Sequence, residues 1–375
     1  MNTWMKLLLL VTTVVIAGCE VDDRQDNASA LDLLRVDEGS FAKAIDKRSF
    51  SFPADHGAHP DFRSEWWYLT GNLVADADRA TTRESGRSFG FQITLFRFAL
   101  PVARDGGGPW HADQLWVAQF ALTDITGQRF FTGDRSARQA AGLAGAQENG
   151  SRIWVEDVVI EGLDGERIRI VARNTAFGLD LALETMTPIV LNGDGGLSQK
   201  GSAKGNASYY YAIPRLRASG SVQMDGEHIP VTGAAWLDRE WSTSALDDNQ
   251  EGWDWFALHL DDGRNLMVYR LRNIDGSTAN HSSLTLSDGS GVIEKKDVTD
   301  ANMQPREYWT SPATGSRYPV RWTLNLERGK LDVRAVMNNQ EHPDFLRYWE
   351  GAVTFSGSLD GHAVNGTGYL EMTGY

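Results

Sequence analysis

The sequence predicts an all-β protein of barrels or sandwiches, on three observations. Apolar and polar residues alternate at period two in short runs, two-residue Asp-Gly turns separate such runs, and no long stretch carries helical spacing.

The runs come in order. Phe89–Phe98, Leu115–Leu122 and Arg167–Ala172 alternate as half-buried strands do. Asp134–Gln147 is the best candidate for a short helix. Asp225-Gly226 joins Tyr209–Met224 to the strand that leads into Trp236, where Trp236, Asp238 and Glu240 share one face and Leu237, Arg239 and Trp241 the other. Asp262-Gly263 joins Trp253–Leu260 to Asn265–Arg272. A two-residue turn there pairs 260 with 265, 258 with 267, 256 with 269 and 254 with 271. That register sets Asp254 on an otherwise apolar face with Phe256, Leu258, Leu260, Met267, Tyr269 and Leu271, and places Arg270 across from Trp255 as a cation–π pair.

A weak internal repeat supports two related β units with a boundary near 235 to 250. Trp116-Val-Ala-Gln-Phe-Ala-Leu-Thr-Asp124 is echoed by Trp255-Phe-Ala-Leu-His-Leu-Asp261, and each copy follows a Glu-Trp pair. Chance similarity between amphipathic strands would give the same echo.

The chain has 375 residues, enough for two domains with cores of their own. Its 36 basic and 50 acidic side chains give a net charge of −14, which argues against a nucleic-acid partner. One cysteine excludes an internal disulfide framework and a Cys-rich metal site.

That cysteine sits in a telling place. Met1–Lys6 is a short start with one positive charge, Leu7–Ile16 is an apolar run too short to span a bilayer, and Ala17-Gly18-Cys19 follows. The pattern resembles a bacterial lipobox, in which residues 1–18 are removed and Cys19 is lipidated. Glu20 stands where an aspartate would resemble an inner-membrane retention signal. The expectation is an envelope protein facing the periplasm, with the outer membrane favoured over the inner. Residues 19–50 read as a polar tether, 51–240 as an N-terminal domain and 241–375 as a C-terminal one.

Familiar catalytic motifs fail on context. Gly86-Arg-Ser88-Phe-Gly90 has a polar loop before the serine and a strand after it, the reverse of a nucleophile elbow. Gly193–Ser202 places Lys200 before its glycine and lacks the helix of a phosphate loop. His56-Gly-Ala-His59 has no third ligand nearby in sequence and reads as a satisfied surface loop. No metal and no cofactor is expected.

The candidates that remain are carboxyls among tryptophans: Asp238 and Glu240 beside Trp236 and Trp241, and Asp254 between Trp253 and Trp255. A carboxyl on an apolar surface is either paired or held protonated, and a protonated one can act as a general acid. Buried Asp–Arg or Asp–Tyr structural pairs are the alternative for all three.

Several longer motifs carry a family resemblance: Glu65-Trp-Trp-Tyr-Leu-Thr-Gly-Asn-Leu73, Gly193–Gly201, Gly205–Tyr211, Ala235–Ser244, Tyr348-Trp-Glu-Gly-Ala-Val353 and Gly368–Tyr375. Over residues 55 to 375 the chain resembles the AttH-like "predicted secreted hydrolase" group, which is related to bacterial carotenoid 1,2-hydratases. The resemblance implies two lipocalin-like β-barrel domains in tandem, and greasy polyene substrates among relatives. The hydratase pattern matching 236–241 is Tyr-His-Asp-His-Asn-Trp. Asp238 and Trp241 match it; Leu237, Arg239 and Glu240 depart. Tyr269 matches a family tyrosine, while Leu271 stands where the hydratases have an aspartate. The resemblance therefore carries the fold further than it carries carotenoid hydration.

Two functional readings follow. In the first, the protein is a hydratase- or isomerase-type enzyme on a polyene or lipid. Asp238, Glu240 or Asp254 supplies the proton, with Tyr269 as a further catalytic candidate. Glu65, Trp66, Trp67, Gln92, Arg239 and Trp241 meet the ligand. In the second, it is a carrier of a lipid or other hydrophobic molecule, associated with an envelope transporter. An enzyme places those carboxyls inside the pocket beside aromatic rings; a carrier has an apolar pocket with the carboxyls in ion pairs outside it.

Overall fold

The computed structural model describes residues 41–76, 78–79, 86–100, 113–244, 246–343 and 347–375. Cys19, the expected leader and most of the expected tether lie outside them. Among the described residues the regular structure is almost entirely antiparallel strand, in a 13-stranded and a 10-stranded sheet. Each sheet curls round its own apolar core as a lipocalin-like barrel.

Eight strands frame the site: β1 (Ser64–Ala75), β2 (Ser88–Ala99), β3 (Ala207–Met224), β4 (Glu227–Ser242), β5 (Gln250–Leu260), β6 (Asn265–Asn273), β7 (Tyr348–Leu359) and β8 (His362–Met372). The first sheet runs β2-β1-β4-β3 through its middle, and the second runs β6-β5-β8-β7. Strands alternate between two buried faces. Trp67 and Leu69 of β1 join the first barrel's core, while Trp66 and Tyr68 face the second sheet. Leu237 and Trp241 of β4 likewise point into the first core, and Trp236 points out. Because the outward face is covered as well, the polar half of the alternation is muted.

The barrels are tied by side chains as well as by apolar contact. Thr123 donates to Gln340 Oε1 at 2.8 Å, and Arg215 Nε to Asn265 Oδ1 at 2.8 Å. Pro214 has no N–H to give the ladder, so β3 bulges between Ile213 and Leu216, and the Pro214 carbonyl accepts from His259 Nε2 at 2.7 Å. Residues 41–50 lie against the first sheet, with Ala44 buried and Phe50 edge-on to Trp241.

The first Asp-Gly hairpin is as expected: Asp225 and Gly226 have φ of 54° and 78°, the twist a two-residue turn needs. The second corrects the sequence reading. Leu260 N–H bonds the Arg264 carbonyl, Gly263 takes the left-handed position at φ 91°, and the turn holds one residue more than expected. His259 therefore faces Asn265, and Asp254 faces Arg270. One residue of slip turns the whole of β6 over. Leu266 and Val268 enter the second core with Phe256 and Leu258, while Met267, Tyr269 and Leu271 face the first barrel beside Trp255. The expected Trp255–Arg270 pair does not form, and Arg270 lies over Trp322 at 5.1 Å.

The helix expected over Asp134–Gln147 is also absent. Residues 134–138 and 144–146 fall in the strands Arg129–Arg138 and Ala144–Ala146 with a turn between them, because the first strand pairs along Gln114–Asp124 and buries Ala137 in the core. Tertiary pairing overrides the helical leaning of its Ala, Arg and Gln residues.

Candidate active site between the barrels

A cavity lies between the facing sheets, walled by the rings of Trp66, Tyr68, Tyr210, Trp253, Trp255, Tyr269 and Tyr348, with Phe96 and Phe98. Four carboxyls enter it: Asp238 and Glu240 from β4, Glu350 from β7 and Glu371 from β8. Among the described residues Lys200 is the single cationic side chain in the lining.

Each pair of carboxyls follows from strand geometry. Asp238 and Glu240 are two residues apart and so project from one face of β4. Glu350 and Glu371 stand directly opposite each other in the β7–β8 register, where side chains are close neighbours and like charges repel.

The two walls are neutralised differently. On the first, Lys200 Nζ lies 3.0 Å from Glu240 Oε1, and 4.6 Å and 5.3 Å from the ring centres of Tyr269 and Tyr210. Burial alone would lower the Lys200 ammonium, and the Glu240 carboxylate reverses this and raises it. Asp238 accepts from Trp236 Nε1 at 2.8 Å and from the Tyr210 hydroxyl at 3.0 Å. Burial pushes its carboxyl well above the usual range despite those two donors. On the second wall no cation enters among the described residues. Tyr68 donates to Glu350 Oε1, and the Tyr348 hydroxyl stands within hydrogen-bonding reach of the same carboxyl. Burial first, then the neighbouring Glu371, hold the Glu350 carboxyl well up. Burial pushes Glu371 to about 8.

The sequence candidates separate. Asp238, Glu240, Tyr269 and Trp66 line the cavity. Tyr269 donates its hydroxyl to the His281 carbonyl at 2.7 Å. Gln92 sits one layer behind and donates to the Tyr348 hydroxyl at 3.3 Å. Asp254 lies outside, held by Arg270 at 2.5 Å, Arg272 at 3.2 Å and the Tyr375 hydroxyl at 2.7 Å. Its even-numbered face belongs to the second barrel's interior, not to the cavity.

Glu65, Trp67, Arg239 and Trp241 gather inside the first barrel. Glu65 bridges Arg97 and Arg239, and Arg239 covers the Trp67 ring at 3.7 Å. Burial alone would raise the Glu65 carboxyl, but the Arg239 and Arg97 guanidiniums hold it well below the usual range. His59 stacks on Trp241 at 3.7 Å and His56 meets the Tyr211 hydroxyl at 2.5 Å. The His56–His59 segment is therefore a packed part of the first barrel, correcting its reading as a surface loop: aromatic neighbours from β3 and β4 cover it. Among the described residues no group of three or more His, Cys, Asp and Glu side chains is set to hold a metal ion.

Lys200, Tyr68, Tyr210, Glu350 and Glu371 were missed from sequence. For the two glutamates a signal is present in the sequence: one interrupts the apolar run Tyr348–Val353 and the other Gly368–Met372.

Fold and cavity together define a tandem two-barrel protein with a carboxyl-bearing cavity between its sheets. The chain belongs to the AttH-like family, whose sequence profile matches residues 43–375. An AttH protein of Nitrosomonas europaea, of solved structure, is 37% identical with a TM-score of 0.77, covering 89% of this chain and 99% of its own. Kievitone hydratase of Fusarium solani subsp. phaseoli is 25% identical over 236 residues, which are 59% of this chain and 64% of that protein. The dehydratase asqC of Emericella nidulans is 21% identical over 227 residues, 56% of this chain and 63% of that protein. The chain thus matches just under two thirds of the length of these two relatives. The solved kievitone hydratase of Nectria haematococca shares the fold, with a TM-score of 0.65 at 16% identity, covering 90% of this chain and 98% of that one.

Proposed function

We propose that this protein adds water to, or removes it from, an apolar substrate held between the barrels, with Glu350 as the proton donor. The observation that carries this reading is Glu350 itself, a fully buried carboxyl set among aromatic rings, where burial raises it well above the usual carboxylate range. An alkene is a very weak base, so its protonation needs a neutral carboxylic acid out of water. Tyr68 donates to Oε1, so the acidic proton is carried by Oε2.

In the hydration direction the Oε2–H bond breaks as a C–H bond forms, and positive charge develops on the adjacent carbon. The ring faces of Trp66, Trp253 and Trp255 stabilise that charge. Water, oriented by the Asp238 carboxyl across the cavity, adds to the carbon and returns a proton to the Glu350 carboxylate, which restores the acid. Dehydration is the reverse. A carrier would line this space with apolar groups alone, and four carboxyls count against that reading.

The same proposal places the protein on the periplasmic side of a bacterial membrane, preferably the outer one, anchored through Cys19. Cys19→Ser should move it from the membrane to the soluble fraction.

The activity is tested by incubating purified protein with lipid extract of its own host membranes in heavy-oxygen water. A product that gains or loses one water, formed by the wild type and absent with Glu350→Gln and with Asp238→Asn, supports the reading. Equal turnover by all three proteins would refute it.

A further inference from the structure

The cavity already contains one organic cation, that of Lys200. Its ammonium is received by a carboxylate, Glu240, and by the ring faces of Tyr210 and Tyr269. The opposite wall repeats the carboxyls and rings with no ammonium of its own among the described residues. Glu350 and Glu371 stand side by side, the Tyr68 and Trp255 rings meet edge to face at 5.1 Å next to them, and Trp255 is the cross-strand neighbour of Glu371. Among the described residues no lysine, arginine or histidine lines that wall.

We infer that the Glu350–Glu371 wall is the receptor for a positively charged group, and that the molecule held between the barrels is an amine or quaternary ammonium on an apolar skeleton. The inference rests on the proposed function for its cavity and names the class of its substrate. Carboxylates with aromatic faces bind such cations through charge and ring quadrupole together. A bound cation lets one carboxyl of the adjacent pair ionise while the other keeps its proton. Glu371 becomes the counter-ion and Glu350 remains the acid, so docking the charge also sets the acid against the neighbouring carbons. Anionic ligands such as fatty acids meet four carboxyls and one already paired ammonium, and are excluded.

Binding is then linked to protons. The titratable groups facing Glu371 are Glu350 and Tyr348 from β7, Tyr68, Tyr210 and Asp238 from the first sheet, and the Lys200–Glu240 pair beyond. Because burial holds Glu371 up to about 8, a cation arriving at pH 7 displaces close to one proton.

The test uses the full-length protein and two probes of the same shape, phenyltrimethylammonium and its neutral isostere tert-butylbenzene. Binding is read by tryptophan fluorescence, and by calorimetry in two buffers of different ionisation enthalpy. The cation should bind at least about tenfold more tightly at pH 8, weaken by about tenfold per pH unit toward pH 6, and release about one proton at pH 7. Glu371→Gln should abolish both the proton release and the preference, with its fold checked by circular dichroism; Glu350→Gln, which leaves Glu371 alone on the wall, should keep the preference. Equal or tighter binding of the neutral isostere, no binding of either, or binding without proton release overturns the inference. It fails separately from the hydratase reading: a wild type that hydrates a neutral substrate without any cation preference sinks only this inference. A cation preference beside turnover indifferent to Glu350→Gln and Asp238→Asn sinks only the other.

Discussion

Tyr68 and Glu350, 282 residues apart in the chain, meet across the two sheets in a hydrogen bond on the wall of the cavity. The phenol fixes one carboxyl oxygen and leaves the other to carry the proton. Neither barrel alone makes this acid, since β1 supplies the donor and β7 the carboxyl.

Glu350→Gln keeps the shape and the hydrogen bond from Tyr68 but removes the acidic proton. Turnover should fall by about 10²–10⁴, the usual worth of a general acid, with little change in melting temperature. Tyr68→Phe strips the partner from a buried oxygen and should cost about 1–3 kcal/mol of stability in chemical denaturation.

Asp254 compensates two buried guanidiniums, Arg270 and Arg272, away from the cavity. Asp254→Asn should destabilise the protein by about 3–5 kcal/mol while leaving turnover per folded molecule unchanged. A loss of turnover without a loss of stability would return Asp254 to the candidate acids.

Lys200→Met should leave Glu240 unpaired in the cavity wall and cost about 3–5 kcal/mol. The double variant Lys200→Met/Glu240→Gln should recover most of that loss. Urea unfolding of the two single variants and the double one measures the coupling.

Stability should depend on pH through Glu371. Its folded value, about 8, lies above the ordinary 4.5, so the folded state holds the extra proton. The stabilisation is complete below pH 4.5 and is lost at about 1.4 kcal/mol per pH unit as pH rises toward 8. The buried histidines act in the opposite sense over a lower range. His56 and His259 are lowered by burial to about 4, so the unfolded chain takes protons that the folded one refuses between pH 6.5 and 4. Glu371→Gln should therefore match the wild type near pH 4.5 and exceed it at pH 8, in melts run across that range.

Much of this was legible in the sequence, and the rest was hidden for identifiable reasons. Strand periodicity and the motif at Ala235–Ser244 gave the all-β fold, the family and the outward face of Asp238 and Glu240. Asp254 and Tyr269 were set on one face because a two-residue turn was assumed. Arg264 pairs with Leu260, the turn gains a residue, and the two side chains part to opposite faces of the sheet. Glu65, Arg239 and Trp241 looked like site residues because charge and tryptophan cluster there, yet their odd-numbered face packs inside the first barrel. Glu350 and Glu371 escaped because their partners are distant: nothing in local spacing sets β7 and β8 of the second sheet opposite Tyr68 in the first.

The protonation state of Glu350 tests the central claim most directly. Infrared difference spectra between wild type and Glu350→Gln at pH 7 isolate the carboxyl stretch of this one side chain. The account predicts the band of a protonated carboxylic acid, shifted when Tyr68 is replaced by Phe. A carboxylate band at pH 7, with no protonated carboxyl lost in the variant, would contradict it.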